Sequence, residues 1–321
     1  RPPIPGGLIP LGRLLRNPVV LTFLIVALVW IVAGFVKPGF AKPAHLRYLL
    51  ELAAVTGIVA AGQTLVVIGA GIDLSVAAVI TFSAILLPLV SSETDPTGLV
   101  GVSITLLVTA FIGLLNGLGV VLLRVHPLIL TLAMATILQG VLGLIAGGSA
   151  ISTVNPAVLW LGNGRVLDVP VTILTWIVVA AAILVLLHRT VLGSWLFAIG
   201  TNETASRLSG VDIGWTKIVA YTVSGLCAGL TGLLLLGMNR QGYVGIGEPY
   251  LLGSIAAVVL GGTSILGGRG TYAGTIAGSI LLVTITALIT VVNASPGWRS
   301  ILFGALILGL LMVSGRERAN T

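Results

Sequence analysis

The chain has 321 residues, of which 57% are hydrophobic and 8% charged, with a net charge of +7 and 43 glycines. A soluble domain carries about 25% charged residues, so this composition excludes a water-soluble globular enzyme and places nearly the whole chain in or at a bilayer. Lys and Arg are spread one or two per polar break rather than clustered, which argues for membrane orientation and against nucleic acid as a partner.

The N-terminal stretch RPPIPGGLIPLGRLLRN has no signal-peptide cleavage pattern, and Arg13 and Arg16 flank the first apolar run. Residues 1-17 are expected to be a cytoplasmic N-terminal segment, 18-315 a single transmembrane domain with a cytoplasmic connection at 188-215, and 316-321 a cytoplasmic tail. Hydropathy predicts about ten spans, at 18-36, 48-68, 75-90, 98-123, 127-146, 170-187, 216-238, 250-262, 271-292 and 297-314. The yardstick is the roughly 20 residues that a bilayer core of about 30 Å requires. The expected class is an all-α polytopic membrane protein. With the N-terminus inside, Arg1, Arg13, Arg16, Arg124, Arg189, Arg207, Lys217, Arg269, Arg316 and Arg318 fall on the cytoplasmic side, and Lys37, Lys42, Arg47, Arg165, Arg240 and Arg299 outside. Cys227 lies inside a span, so there is no disulfide framework.

The break at 69-75 reads GAGIDLS, and Asp73 is one of nine acidic residues in the chain. Two roles are open to it. With Ser75 it can cap the helix beginning at Val76, the leading reading, or it can contact a substrate, since an acid inside the membrane points to function. SVAAVI at 75-80 recurs as SIAAVV at 254-259, each copy after a glycine-bearing break. An odd number of spans separates the copies, which predicts an inverted repeat with broken half-helices, an arrangement transporters use for alternating access. Segment 250-262 is too short to span and reads as one such half-helix. Gly113/Gly117, Gly225/Gly229 and Gly274/Gly278 are spaced for close helix packing within one subunit. Asn116 and Gln139 are expected to form interhelical hydrogen bonds. Polar or aromatic residues beside the breaks give the candidate pathway: Asp73, Ser75, Asn116, Tyr243, Glu248 and Tyr250.

In the 188-215 connection, Thr201 or Asn202 can cap a short helix running to Leu208. Glu203 sits in its first turn, Arg207 follows at i+4, and Gly210 supplies a stop. This is either a solvated loop with an ion pair or a rigid docking helix for a cytoplasmic partner, with Asn202, Glu203, Ser206, Arg207, Leu208 and Gly210 as its residues. No G-x-x-x-x-G-K-[ST] occurs, so no P-loop for ATP is expected in this chain. His45, His126 and His188 lie at span ends, where they need no metal, and no nucleophile–base pair suggests an enzyme.

GIDLSV at 71-76, AIGTNETASRLSGVDIGWTKIVAYTVSG at 198-225 and IAAVVLGGTSILGGRGTYAGTIAG at 255-278 resemble the permease subunits of bacterial ABC importers for ribose and related monosaccharides. The resemblance implies an inner-membrane pore formed with a second permease subunit, either a copy of this chain or a similar one. It also implies cytoplasmic ATP-binding subunits that hold ATP and Mg, and a periplasmic or lipid-anchored sugar-binding protein. The coupling loop it implies maps onto Asn202 to Gly210. Where many relatives have an acidic pair before the AAVV run, this chain has Leu251 and Gly253, with Glu248 a few residues earlier. The alternative class is an ion-coupled secondary transporter. It is disfavoured because only Asp73 and Glu51 approach intramembrane depth.

Overall fold

The computed structural model describes residues 18–37, 39–91, 95–147, 149–153 and 155–291, together with 295, 297, 298, 301, 304, 305 and 308. Nine of the expected spans are helices there: α1 (Pro18–Val36), α2 (Pro43–Ile68), α3 (Val76–Val90), α4 (Leu99–Leu122), α5 (Pro127–Ala146), α7 (Val171–Arg189), α10 (Ile213–Asn239), α11 (Glu248–Leu260) and α12 (Tyr272–Val291). Three shorter helices join them: α6 (Pro156–Asn163), α8 (Val191–Thr201) and α9 (Glu203–Leu208). The expected segment 1-17, the tail 316-321 and most of the expected span 297-314 lie outside the described residues. Proline opens α2, α5 and α6, where its fixed φ suits a first turn and its missing N–H costs nothing.

Among the described residues six helices, α2, α4, α5, α7, α10 and α12, are long and apolar enough to cross a membrane. At 15 and 13 residues, α3 and α11 rise only about 22 and 20 Å, short of the bilayer core. Both are shorter than the expected full spans. The region 188-215 differs from expectation. Most of it is helical, because the apolar run 191–201 forms α8, capped by Thr190 accepting from Gly193 N–H and burying Leu196 and Ile199.

The core is organised around α10, which packs on α2, α3, α4 and α6. Its contact with α4 is made by the glycines expected to pack. A side chain at Gly113 would run into the Tyr221 carbonyl, and one at Gly225 into the Thr109 carbonyl, so the two backbones touch directly. Gly274 and Gly278 do the same for α12 against Gly261 and Ala257 of α11. All three pairs therefore work inside the subunit. Gln139, by contrast, lies on the exposed side of α5. Several buried hydroxyls are satisfied within their own helices, as when Thr64, Thr105, Thr231 and Thr284 donate to the carbonyl four residues back. Trp176 Nε1 donates to Tyr272 Oη at 2.9 Å, which donates to the Gly57 carbonyl at 2.8 Å, so α7, α12 and α2 are joined by one polar chain.

At the end of the bundle that holds Val166 and Val169, strands β2 (Arg165–Val166) and β3 (Val169–Pro170) form a hairpin. Both turn residues, Leu167 and Asp168, have positive φ, the geometry of a tight two-residue turn. Arg47 at 2.6 Å and Arg165 at 3.3 Å hold Asp168, whose carboxyl is kept below the usual carboxylate range chiefly by the Arg47 hydrogen bond. A second pair, β1 (Ile151–Ser152) with β4 (Gln241–Gly242), ties the end of α10 to the chain after α5.

Candidate translocation and docking sites

After α2 the chain turns back on itself. Gly69, Ala70 and Gly71 donate to the carbonyls of Leu65, Val67 and Val66, with Ala70 at φ 59°. The backbone then runs extended into the core. Leu74 N–H donates to Thr131 Oγ1 of α5 at 3.0 Å. Asp73, 1% exposed, accepts three hydrogen bonds: from Ser75 N–H at 2.9 Å and Ser75 Oγ at 2.6 Å on Oδ1, and from Ser224 Oγ of α10 at 2.8 Å on Oδ2. Asn116 Nδ2 of α4 donates to Ser75 Oγ at 2.8 Å. The expectation of a helix cap is corrected in its detail. Ser75, the residue before α3, has helical angles and makes no side-chain cap bond, and Asp73 receives its N–H instead, forming a turn of the Asx kind. Asp73, Ser75 and Asn116 are thus one buried network tying α3, α4 and α10 together. Asn116 forms the interhelical bond expected of it.

The second break is built differently. After Arg240, at φ 59°, the chain descends along α3, with Gly242 packed on the Ala84 carbonyl and Gly247 on that of Ala77. Gly247 N–H donates to Thr81 Oγ1 at 3.1 Å, and turns link Ile246 to Tyr243, Glu248 to Gly245 and Tyr250 to Gly247. Half-helix α11 therefore starts beside the first turn of α3. Its far end leads into the loop where Gly267 lies against Ala70 and Gly268 N–H donates to the Ile68 carbonyl. The two half-helices diverge from a shared point toward opposite ends of the bundle. Of the pathway candidates here, Tyr243 is 47% exposed, Glu248 is exposed, and Tyr250 is half-buried against the cluster containing Val76 and Val79. The hexapeptide match is offset: Ser75 precedes α3, whereas Ser254 lies inside α11 and donates to the Leu251 carbonyl.

The short helix α9 has the expected boundaries. Asn202 Oδ1 accepts from Ala205 N–H at 3.0 Å, and Gly210 at φ 81° lets Val211 N–H close back on the Ser206 carbonyl. Glu203 meets Arg207 at 3.4 Å and, more closely, Lys217 of α10 at 2.7 Å. The Lys217 bond holds the Glu203 carboxyl below the usual glutamate range against its partial burial. Sequence spacing showed the Arg207 pair but not Lys217, which is fourteen residues away. Ser206 is buried and donates to the Asn202 carbonyl, while Leu208 is 86% exposed. Beside α9 opens a cavity of about 720 Å³ lined by Arg124, His126, Glu203, Arg207, Asp212 and Lys217 among others. Among the described residues, no three His, Cys, Asp or Glu side chains come together where they could hold a metal.

Comparison with known proteins matches residues 46–311 to the family described as the permease component of the branched-chain amino acid transport system. The chain is 35% identical to the ribose import permease protein of Escherichia coli (strain K12) over 92% of this chain and 93% of that protein. It is 32% identical to the ribose import permease protein of Bacillus subtilis (strain 168) over 92% of each, and 31% identical to the L-arabinose transport system permease protein of Escherichia coli (strain K12) over 90% and 88%. With six helices fit to cross a bilayer and a match over most of its length, the chain is a multi-pass membrane protein that belongs to this family of permease components.

Proposed function

We propose that the chain is the permease subunit of an ATP-driven importer in a bacterial inner membrane, forming with a second permease subunit the route for a monosaccharide. A periplasmic or lipid-anchored binding protein delivers the sugar, and cytoplasmic subunits bind ATP and Mg and hydrolyse the nucleotide. The similarity to proteins named for ribose and arabinose import supports a sugar over an amino acid. The inverted repeat is supported by half-helices α3 and α11, which begin side by side and run apart. Asp73, Ser75 and Asn116 hold the first half-helix in register, and Tyr243, Glu248 and Tyr250 border the mouth of the second. Asn202, Glu203, Ser206, Arg207, Leu208 and Gly210 couple to the ATPase.

The observation that carries the coupling role is the rigidity of α9: capped by Asn202, closed by Gly210 and pinned to α10 through Glu203–Lys217, it can pass on a push without bending. Ser206→Pro tests it. The substitution removes the Ser206 N–H bond to the Asn202 carbonyl and costs about 3 kcal/mol in a helix interior, more than a six-residue helix absorbs. Uptake by the reconstituted complex should collapse and the ATPase should lose stimulation by loaded binding protein, while the melting temperature stays near wild type. Sugar movement by the purified chain without any ATPase would instead make it a secondary transporter.

A further inference from the structure

Gln63 of α2 is fully buried, and neither its Nε2 nor its Oε1 has a hydrogen-bond partner. His45, Asn116, Tyr221 and Thr263 each leave one buried side-chain atom unpaired, but among the described residues only Gln63 leaves both ends of a polar group empty. A primary amide carries two donors and two acceptor sites, and burying it unpaired is unfavourable. Tyr221 Oη has a pocket of about 10 Å³ beside it, room for one water. Gln63 lines neither that pocket nor the cavity beside α9.

Its position on α2 says why the amide is there. Helix neighbours lie three and four residues apart. Val59, four residues before Gln63, belongs to the apolar cluster that holds Val76 and Val79 of α3. Ala60, three before, and Val67, four after, cluster with Ala257 and Val258 of α11. Gln63 therefore sits on the stripe of α2 that α11 packs on, and the residues clustered beside it are Val and Ala, which offer no side-chain partner. At 13 residues α11 is too short to span a bilayer core, so it can move off α2 as a unit.

We infer that Gln63 is a hydrogen-bonding residue of the sugar route, buried in this conformation and uncovered when α11 moves off α2. An amide presents a donor and an acceptor side by side, the pattern that matches two adjacent hydroxyls of a sugar. The amide is left unpaired in the closed state and paired by the passing polyol or by water in the open one. The inference rests on the importer reading and names the residue that reads the substrate.

The test uses the complete reconstituted complex with loaded binding protein. Gln63→Leu keeps the volume and removes the polar atoms. Expected are a melting temperature at or above wild type and sugar uptake reduced at least tenfold. A cysteine substitution, Gln63→Cys in a Cys227→Ala background, should react with a small membrane-permeant thiol reagent at least tenfold faster in the nucleotide-trapped complex than at rest. Uptake by Gln63→Leu within twofold of wild type overturns the inference, as does a fall in melting temperature that uptake merely tracks, or a cysteine equally unreactive in both states. If the wild-type complex imports no sugar, the importer reading fails instead, and cysteine reactivity still decides whether Gln63 is uncovered.

Discussion

The breaks at 69–75 and 240–247 interrupt the bundle for the same purpose, since each brings a short helix to a start inside the core. They are sealed by different means. The first is closed by side chains: Asp73 gathers Ser75 and Ser224, Asn116 reaches Ser75, and Thr131 takes the Leu74 N–H. The second is closed mainly by backbone, through three tight turns, a short strand pair and the seating of Gly247 against Ala77, with Thr81 Oγ1 accepting from Gly247 N–H. A break with no water must pair its own amides. The side-chain solution holds one arrangement firmly. The backbone solution leaves Tyr243 and Glu248 on the surface.

Substitutions separate the two solutions. The largest effect is expected for Asp73→Leu, which strands three buried donors at about 1–3 kcal/mol each. Melting temperature and uptake should both fall sharply, whereas Asp73→Asn, which still accepts from Ser75 while Ser224 turns to accept from its amide, should cost about 1 kcal/mol. Equal loss in both variants would mean that the charge, rather than the bonds, holds the first break.

At the second break, Gly247→Ala should cost about 1–3 kcal/mol, the range for overpacking. Its φ of −85° suits any residue, but the added carbon runs into the Ala77 carbonyl, a backbone atom that cannot rotate away. Thermal melts check this, and a wild-type melting temperature would show that α11 already stands off α3.

The smallest effect belongs to α9. Glu203 is 45% exposed, so its pairs with Lys217 and Arg207 contribute a few tenths of a kcal/mol after solvent screening. Because the folded carboxyl titrates below the ordinary value of 4.5, this stabilisation is present above pH 4.5 and lost as pH falls through the lowered folded value. Protection of the 203–208 amides, corrected for the intrinsic pH dependence of exchange, should fall on acidification in the wild type but not in Glu203→Gln, and high salt should mimic part of the change.

What sequence reading reached was whatever repeats along one helix or sits within one turn. Nine apolar segments fold as helices, the glycine pairs mark the contacts they make, and Asn202 to Gly210 is capped and stopped as its residues require. What it missed depends on distant partners or atypical chemistry. Ser224 reaches Asp73 across 151 residues, and no local pattern points to it. The 165–170 hairpin turns on Leu167–Asp168 rather than the Asn-Gly that signals such a turn. Helix α8 is apolar but only eleven residues long, so it falls below any window tuned to a full span. Gln63 carries no charge and sits in an apolar run, where only the buried packing around it reveals that its amide is unpaired.

The bond from Ser224 to Asp73 also sets a timetable for synthesis. At about 5–20 residues per second, the ribosome needs on the order of 10–30 s after making Asp73 before it reaches Ser224, 151 positions later. Throughout that interval the carboxylate has Ser75 for company and no α10 to lie against. Half-helix α3, too short to be held by lipid alone, must wait at the insertion machinery or at the membrane surface. The nascent chain therefore settles its first half only after much of its second half has been translated, and a stall or truncation before residue 224 would leave an intermediate that quality-control proteases can recognise by an acid with nowhere to go.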